Sequence, residues 1–360
     1  MHVVPYDPRG RHFFVLKPSH ISFPPASLFA MPLPSPTHLR RRAGGLAVRG
    51  LFEGASKLAR LHPRADIARH GVRCVRDLAY TSSGLRAHTL DIYMPEEDGP
   101  HPVIFYVHGG GFRILSKDTH WIMGLIFARQ GYVVVNINYR LAPEHRFPVA
   151  AQDTSEAWAW MVEHVERFGG DPQRVIVAGE SAGANLISGL CISATQQREE
   201  PWARRIWETA CTPKAALAYC GMLHVSQPER YRDAGISRFE YERITEVSQG
   251  YLGRTYSHHD LADVLVAFER GYTPQRPMPP FFLPVGSKDP IQEETHRMAR
   301  ALRAMGVDAQ ARTYEGGLHA FHAFVWTHQS KQCWEDTFDF LTHYGLHGSR
   351  MTPAWGHGAP

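Results

Sequence analysis

Five short apolar runs constrain this 360-residue chain more than any other feature: Val103-Ile104-Phe105-Tyr106-Val107, Tyr132–Ile137, Val175–Ala178, Ala215–Tyr219 and Phe281–Val285. None alternates apolar with polar residues, so each reads as a strand covered on both faces. Helical stretches follow the first three, over residues 119–130, 147–167 and about 181–197. Strands alternating with helices predict an α/β fold, with a mostly parallel twisted central sheet and helices on both faces. Ahead of these elements, Val72–Thr81 and Arg86–Tyr93 alternate and are joined by Ser82-Ser83-Gly84, the signature of a hairpin. The polar, Tyr-rich segment at about 225–275 interrupts the pattern and reads as an insertion over the sheet.

Composition narrows the class further. Hydrophobic content of 43% with 21% charged residues is that of a globular chain. Apolar runs such as Trp121–Ala128 fall far short of the ~18–20 residues of a spanning helix, so no integral membrane span is expected. The formal charge of +4 is unevenly placed: residues 1–76 hold thirteen Lys and Arg against three Asp and Glu, a net of +10, which leaves the rest at −6. An argument for nucleic acid or acidic lipid therefore touches only the first fifth of the chain. Five cysteines, at 74, 191, 211, 220 and 333, form no Cys-x-x-Cys pair, which fits a reducing, cytoplasmic setting.

Eight prolines lie among residues 1–36 and Arg40-Arg41-Arg42 follows, so residues 1–42 read as a weakly ordered, Pro-rich basic extension. Pro18, Pro24 and Pro25 interrupt every candidate signal-peptide core, and Met31 stands as an alternative natural start. Val48, Leu51, Phe52, Ala55, Leu58, Ala59 and His62 recur at helical spacing, predicting an amphipathic helix that docks on the core and ends near Pro63. The main domain is expected over residues 72–345, with residues 346–360 as a flexible tail.

The chemistry is concentrated in loops that follow strands. Gly179-Glu180-Ser181-Ala182-Gly183 leaves the run Val175–Ala178 and opens a helix, the strand–turn–helix setting of a nucleophile elbow. Small residues at 179 and 183 let the turn be sharp, and Ser181 is presented at a helix N-terminus. His108-Gly109-Gly110-Gly111-Phe112 follows another strand, and its bare glycine amides suit an oxyanion; Gly109, Gly110 and Ala182 are the candidate donors. A serine nucleophile needs a base and a group to orient that base. Asp289, just past Phe281–Val285, and His319, just past Ala309–Tyr314, occupy the expected places. His322 is the nearest competitor to His319 among 22 histidines, and position favours His319.

Five motifs in order, His108–Phe112, Tyr139-Arg140-Leu141-Ala142-Pro143-Glu144 with Phe147-Pro148, Gly179–Gly183, Asp289-Pro290 and Leu318-His319-Ala320-Phe321, resemble the hormone-sensitive-lipase family of α/β-hydrolase esterases over roughly residues 45–345. The resemblance implies Ser181 as nucleophile, His319 as base, Asp289 as orienting acid and Gly109, Gly110 and Ala182 as oxyanion donors. In that scheme His108 holds the glycine loop, while Gly111, Gly179, Glu180 and Gly183 support the motifs. It also implies a helical cap built from N-terminal helices within residues 43–71 and from the insertion at 225–275. Two departures stand out: Glu180 replaces the Asp or Thr common before the nucleophile, and Glu293 or Glu294 stands where a further Asp is usual.

The function so implied is a serine carboxylesterase acting on short- to medium-chain esters through an acyl-enzyme. An amidase, formamidase or lactonase would use the same residues, and a non-catalytic ligand-binding relative would lack one of them. No cofactor is expected. No metal is expected either, since the pair His258-His259 has no third ligand at a suitable spacing and reads as solvated. Glu144 and Asp153 read as packing or hydrogen-bonding residues. The expected partners are a small-molecule ester and at most a second copy of the chain, a homodimer, with no nucleic acid.

Overall fold

The computed structural model describes residues 36–253 and 258–350. The sheet belongs to the unit Arg41–Pro360. The stretch 1–35, residues 254–257 of the insertion and the end of the tail from 351 lie outside the described residues.

Among the described residues eight strands form one sheet: β1 (Val72–Ala79), β2 (Thr89–Pro95), β3 (His101–Val107), β4 (Val133–Ile137), β5 (Gly170–Glu180), β6 (Ala215–Tyr219), β7 (Phe281–Gly286) and β8 (Ala309–Tyr314). Their order is β1-β2-β4-β3-β5-β6-β7-β8. The β1–β2 and β2–β4 pairs are antiparallel and every later pair is parallel, the mostly parallel α/β sheet that the alternation predicts. The apolar runs are strands β3 to β7. Val103, Phe105 and Val107 of β3 enter one core with Val133, Val135, Val175 and Val177, whereas Ile104 and Tyr106 enter the other with Val134, Ile176 and Ala178. Each strand buries both faces, so period-2 alternation with polar residues has no place in it.

Helices cover both faces. α3 (Val149–His164) and α4 (Ala182–Thr195) fill the first core, where Trp158 meets Phe105 edge-on at 5.4 Å. α5 (Pro201–Glu208) and α8 (Gln292–Ala304) add Ile206, Met298 and Leu302 to it. α2 (Trp121–Arg129) and α9 (His328–His343) fill the second, with Trp334 5.2 Å from Phe127. α1 (Pro36–Arg60), α6 (Arg238–Leu252) and α7 (Val264–Arg270) complete the set. α5, α8 and α9 have no counterpart among the helices expected from the sequence.

Three differences from expectation have physical causes. α1 starts at Pro36, ahead of the extension boundary at residue 42. Proline suits the first helical position, where its missing N–H would have no partner anyway. The face of α1 that docks is also not the leucine side of the predicted stripe: Leu51 and Leu58 are both 70% exposed. Ser56 and Arg60 turn inward instead, and Arg60 Nη2 donates to the Asp118 carbonyl at 2.7 Å. Finally, the tail is packed as far as residue 350: Leu346 is buried, Tyr132 Oη donates to its carbonyl (2.9 Å), and Arg350 donates to the carbonyls of His70 and Gly71 at 2.8 and 3.0 Å.

A buried ion cluster anchors the segment that leads from the glycine loop into α2. Lys117 Nζ lies 2.7 Å from Asp91 Oδ1 on β2 and 2.7 Å from Asp77 Oδ1 on the β1 irregularity. Lys117 and Asp91 are fully buried, so each charge depends on the other for compensation.

Candidate active site

Ser181 stands between the end of β5 and the start of α4, at φ 52° and ψ −112°. A β-carbon makes that conformation costly, so the surroundings must hold it. The Ser181 N–H donates to the Tyr219 carbonyl (2.9 Å), and its own carbonyl accepts from Asn185 (3.2 Å) and Met222 (3.1 Å). β3 lies directly beside β5, with Val107 opposite Gly179, so the glycine loop leaving β3 arrives next to the elbow. Gly110 in that loop has φ 108°, and a Cβ there would sit 2.1 Å from the Ile114 carbonyl oxygen. Among the described residues, the amides of Gly109, Gly110 and Ala182 make no backbone hydrogen bond within the protein.

The loops after β7 and β8 deliver the other two residues singled out from the sequence. His319 Nε2 is 3.0 Å from Ser181 Oγ, and His319 Nδ1 is 2.8 Å from Asp289 Oδ2. Asp289 is buried, and its Oδ1 accepts the Ile291 N–H at 3.0 Å. A hydroxyl bonded to an imidazole that is bonded in turn to a buried carboxylate can lose its proton to the ring. Burial, the largest single influence on His319, pulls its pKa down. The charge and hydrogen bond of Asp289, helped by Glu180 and Glu294, outweigh it and leave the ring above the ordinary 6.5.

His322, the competitor, is fully buried, stacks on Tyr219 at 4.5 Å and lies 2.9 Å from Glu180 Oε2. It belongs to a group that sequence spacing does not reveal. Glu180 Oε1 is 2.8 Å from His120 Nε2, so one carboxylate spans the start of α2, the elbow and the loop that carries His319. Burial opposes ionisation of Glu180, but His120 and then His322 overcome it and hold the carboxyl well below the usual range. Glu180 in turn raises His120 against the opposing effect of burial. His108 differs: burial and the His120 charge push it down to about 3, and a neutral ring stacks on Tyr139 at 4.3 Å with Nδ1 2.7 Å from the Gly109 carbonyl.

Above Ser181 and His319 opens a cavity of about 370 Å³, walled mainly by apolar side chains. α6 contributes Phe239, Ile244 and Val247 and α1 contributes Phe52, so both segments read as cap reach the same space. α6 is started by a capping box, Ser237 with Glu240, and is tied to the segment after the glycine loop by Arg113 Nη1 to Glu246 Oε1 at 2.7 Å.

The other residues singled out from the sequence have structural surroundings. Glu294 is the buried member of the Glu293–Glu294 pair and accepts from the amides of Leu223 (2.5 Å) and His224 (2.9 Å), joining α8 to the loop after β6. Asp153 is buried and takes both Nε and Nη2 of Arg140, at 2.9 and 2.6 Å. Glu144, by contrast, is exposed and does not pack. His258 and His259 are not simply solvated: His258 lies 3.0 Å from Asp260 and 3.1 Å from Asp263, and His259 lies 3.2 Å from Glu200.

Residues 104–323 match the family defined by the alpha/beta hydrolase fold. This chain belongs to that α/β-hydrolase family. Ethyl acetate hydrolase of Pseudomonas putida is 29% identical over 261 residues, covering 69% of this chain and 76% of that one. Carboxylesterase NlhH of Mycobacterium tuberculosis is 28% identical over 226 residues, covering 62% and 67%. Among solved structures, esterase LipW of Mycobacterium marinum superposes with a TM-score of 0.69 at 24% identity, over 84% of this chain and 90% of the other. These relatives bear out the resemblance of this α/β-hydrolase to the hormone-sensitive-lipase esterases. Among its described residues no helix is long and apolar enough to cross a membrane.

Proposed function

We propose that this protein is a carboxylic ester hydrolase that cleaves short- to medium-chain esters through an acyl-enzyme on Ser181. The observation that carries the reading is the relay Ser181 Oγ–His319 Nε2 (3.0 Å) and His319 Nδ1–Asp289 Oδ2 (2.8 Å) at the base of an apolar cavity. His319 takes the Ser181 proton as the oxygen attacks the ester carbonyl, and the tetrahedral oxyanion is met by the amides of Gly109, Gly110 and Ala182. Asp289 holds the imidazolium, which protonates the departing alcohol. Water, activated by the same ring, then releases the acid. A cavity of about 370 Å³ is at the small end of ligand pockets, which run to about 300–1,000 Å³. That size favours small esters over long-chain lipids. Five free thiols accord with action in the reducing cytoplasm, and the expected partners are the ester and at most a second copy of the chain.

A 4-nitrophenyl ester series tests the reading, with hydrolysis expected to be fastest for short and medium acyl chains and to fall for long ones. Matched 4-nitroanilides should turn over far more slowly; equal rates would mark an amidase instead.

The pH profile tests the base. His319 works as the neutral ring and its pKa is raised, so kcat/KM should fall on the acid side with a midpoint above 6.5. Glu180→Gln removes a negative charge that helps keep the ring protonated, so the midpoint should move to lower pH. A midpoint that stays in place in Glu180→Gln would show that the Glu180 charge is not felt at His319.

A further inference from the structure

The ester hydrolysis described above gives no task to Cys220, the residue that follows β6 at the base of the site. Its side chain has no exposed surface and its backbone is in the left-handed region, at φ 39°. Cys220 Sγ, a carboxylate oxygen of Asp289 and a ring nitrogen of His319 all lie within 4.8 Å of one another. No other group of three His, Cys, Asp or Glu residues among the described residues comes together in this way. We propose that Cys220, Asp289 and His319 form a site for a thiophilic divalent cation, zinc or cadmium in class, and that filling it stops ester hydrolysis. The inhibitory part rests on the reading of His319 as the base.

The donor set carries this assignment. One sulfur, one imidazole nitrogen and one carboxylate oxygen suit zinc and cadmium and do not suit magnesium or calcium, which take oxygen ligands. With metal–ligand bonds of about 2.0–2.3 Å, tetrahedral ligands stand roughly 3.3–3.8 Å apart. Atoms within 4.8 Å of one another therefore need to close by about 1.5 Å at most. The His319 side chain is 36% exposed and makes that adjustment by giving up a hydrogen bond to Ser181 or Asp289, whereas Asp289 is fixed by burial. Three protein ligands leave a fourth position for water from the cavity.

Charge balance agrees with the geometry. A Cys220 thiolate and the Asp289 carboxylate together carry −2, the complement of a divalent cation. Burial and the charges of Asp289 and Glu180 push the Cys220 thiol up, so the bare thiolate is disfavoured. The same negative field attracts a cation. Binding releases the Sγ proton to solvent and transfers no electrons. The cation engages the ring that serves Ser181, so the serine loses its base.

The test uses the full-length chain with cadmium chloride and 4-nitrophenyl butyrate. Cadmium should bind one ion per chain, produce the ultraviolet thiolate-to-cadmium absorption and abolish turnover, with recovery on adding EDTA. Cys220→Ala should lose the absorption and need at least about 100-fold more cadmium for half-inhibition, each variant being compared with its own metal-free rate. Unchanged inhibition and absorption in Cys220→Ala would place the ion elsewhere and overturn the proposal, as would wild-type protein that gives neither effect. If alanine unfolds the chain, Cys220→Ser replaces it. Independently of any variant, X-ray absorption of the zinc-loaded wild-type protein must show one sulfur ligand per zinc, and a shell of nitrogen and oxygen alone overturns the assignment. Thiolate absorption without any ester hydrolysis in metal-free protein would leave the cation site standing and sink the esterase reading instead.

Discussion

Ser181→Ala is expected to lower kcat toward 4-nitrophenyl esters by about 10⁴–10⁶-fold, because the hydroxyl is the atom that bonds to the acyl group. Alanine keeps the β-carbon that the backbone at φ 52° and ψ −112° already accommodates, so the strain at this position is unchanged. The three hydrogen bonds that hold residue 181 run through its backbone and are also retained. Thermal stability should therefore stay close to that of the wild type while turnover disappears. A variant within about tenfold of the wild-type rate would require a different nucleophile, since among the described residues Ser181 Oγ alone is hydrogen-bonded to His319 Nε2.

Gly183→Ala should damage the fold itself. A Cβ at this position would sit 2.0 Å from the Val107 carbonyl oxygen and 2.8 Å from that of His108. Both belong to backbone, at the end of β3 and the start of the glycine loop, and β3 is held by strands on either side. Side-chain rotation cannot relieve the clash, so α4 and β3 must separate. The expected loss is about 3 kcal/mol or more, read as a fall of several degrees in Tm or a lower denaturant midpoint. Gly54→Ala provides the control, since nothing lies within 4 Å of a Cβ there and the site is in α1. That substitution should be neutral or stabilise by about 0.5–1 kcal/mol. Equal Tm values for the two variants would contradict the close approach of α4 to β3.

How much of the molecule is legible in its sequence depends on how local each constraint is. The elbow is written in consecutive residues, because a sharp strand-to-helix turn demands small neighbours at 179 and 183. Asp289 and His319 stand out from many carboxylates and histidines because each falls in the first loop past a buried strand. Strand order is not local: nothing in Val103–Val107 or Val175–Ala178 says that β3 and β5 are adjacent while β4 lies on the outer side of β3. The Glu180 group is hidden for the same reason. His120 is 60 positions before Glu180 and His322 lies in the last loop before α9, and only the folded sheet brings the three together. Proline density masks the start of α1, because the residue that breaks a helix interior is favourable at its first position. α5 and α8 are amphipathic, but α5 spans only eight residues and α8 is polar over most of its surface, so neither stands out as an apolar run.

Labelling with a fluorophosphonate tests the central claim most directly. After trypsin digestion, mass spectrometry should find the phosphonyl adduct on the fragment Val175–Arg198 at Ser181, with loss of esterase activity in proportion to labelling and no adduct in Ser181→Ala. An adduct on another residue that tracks the loss of activity, or esterase activity that persists with Ser181 fully labelled, would contradict it.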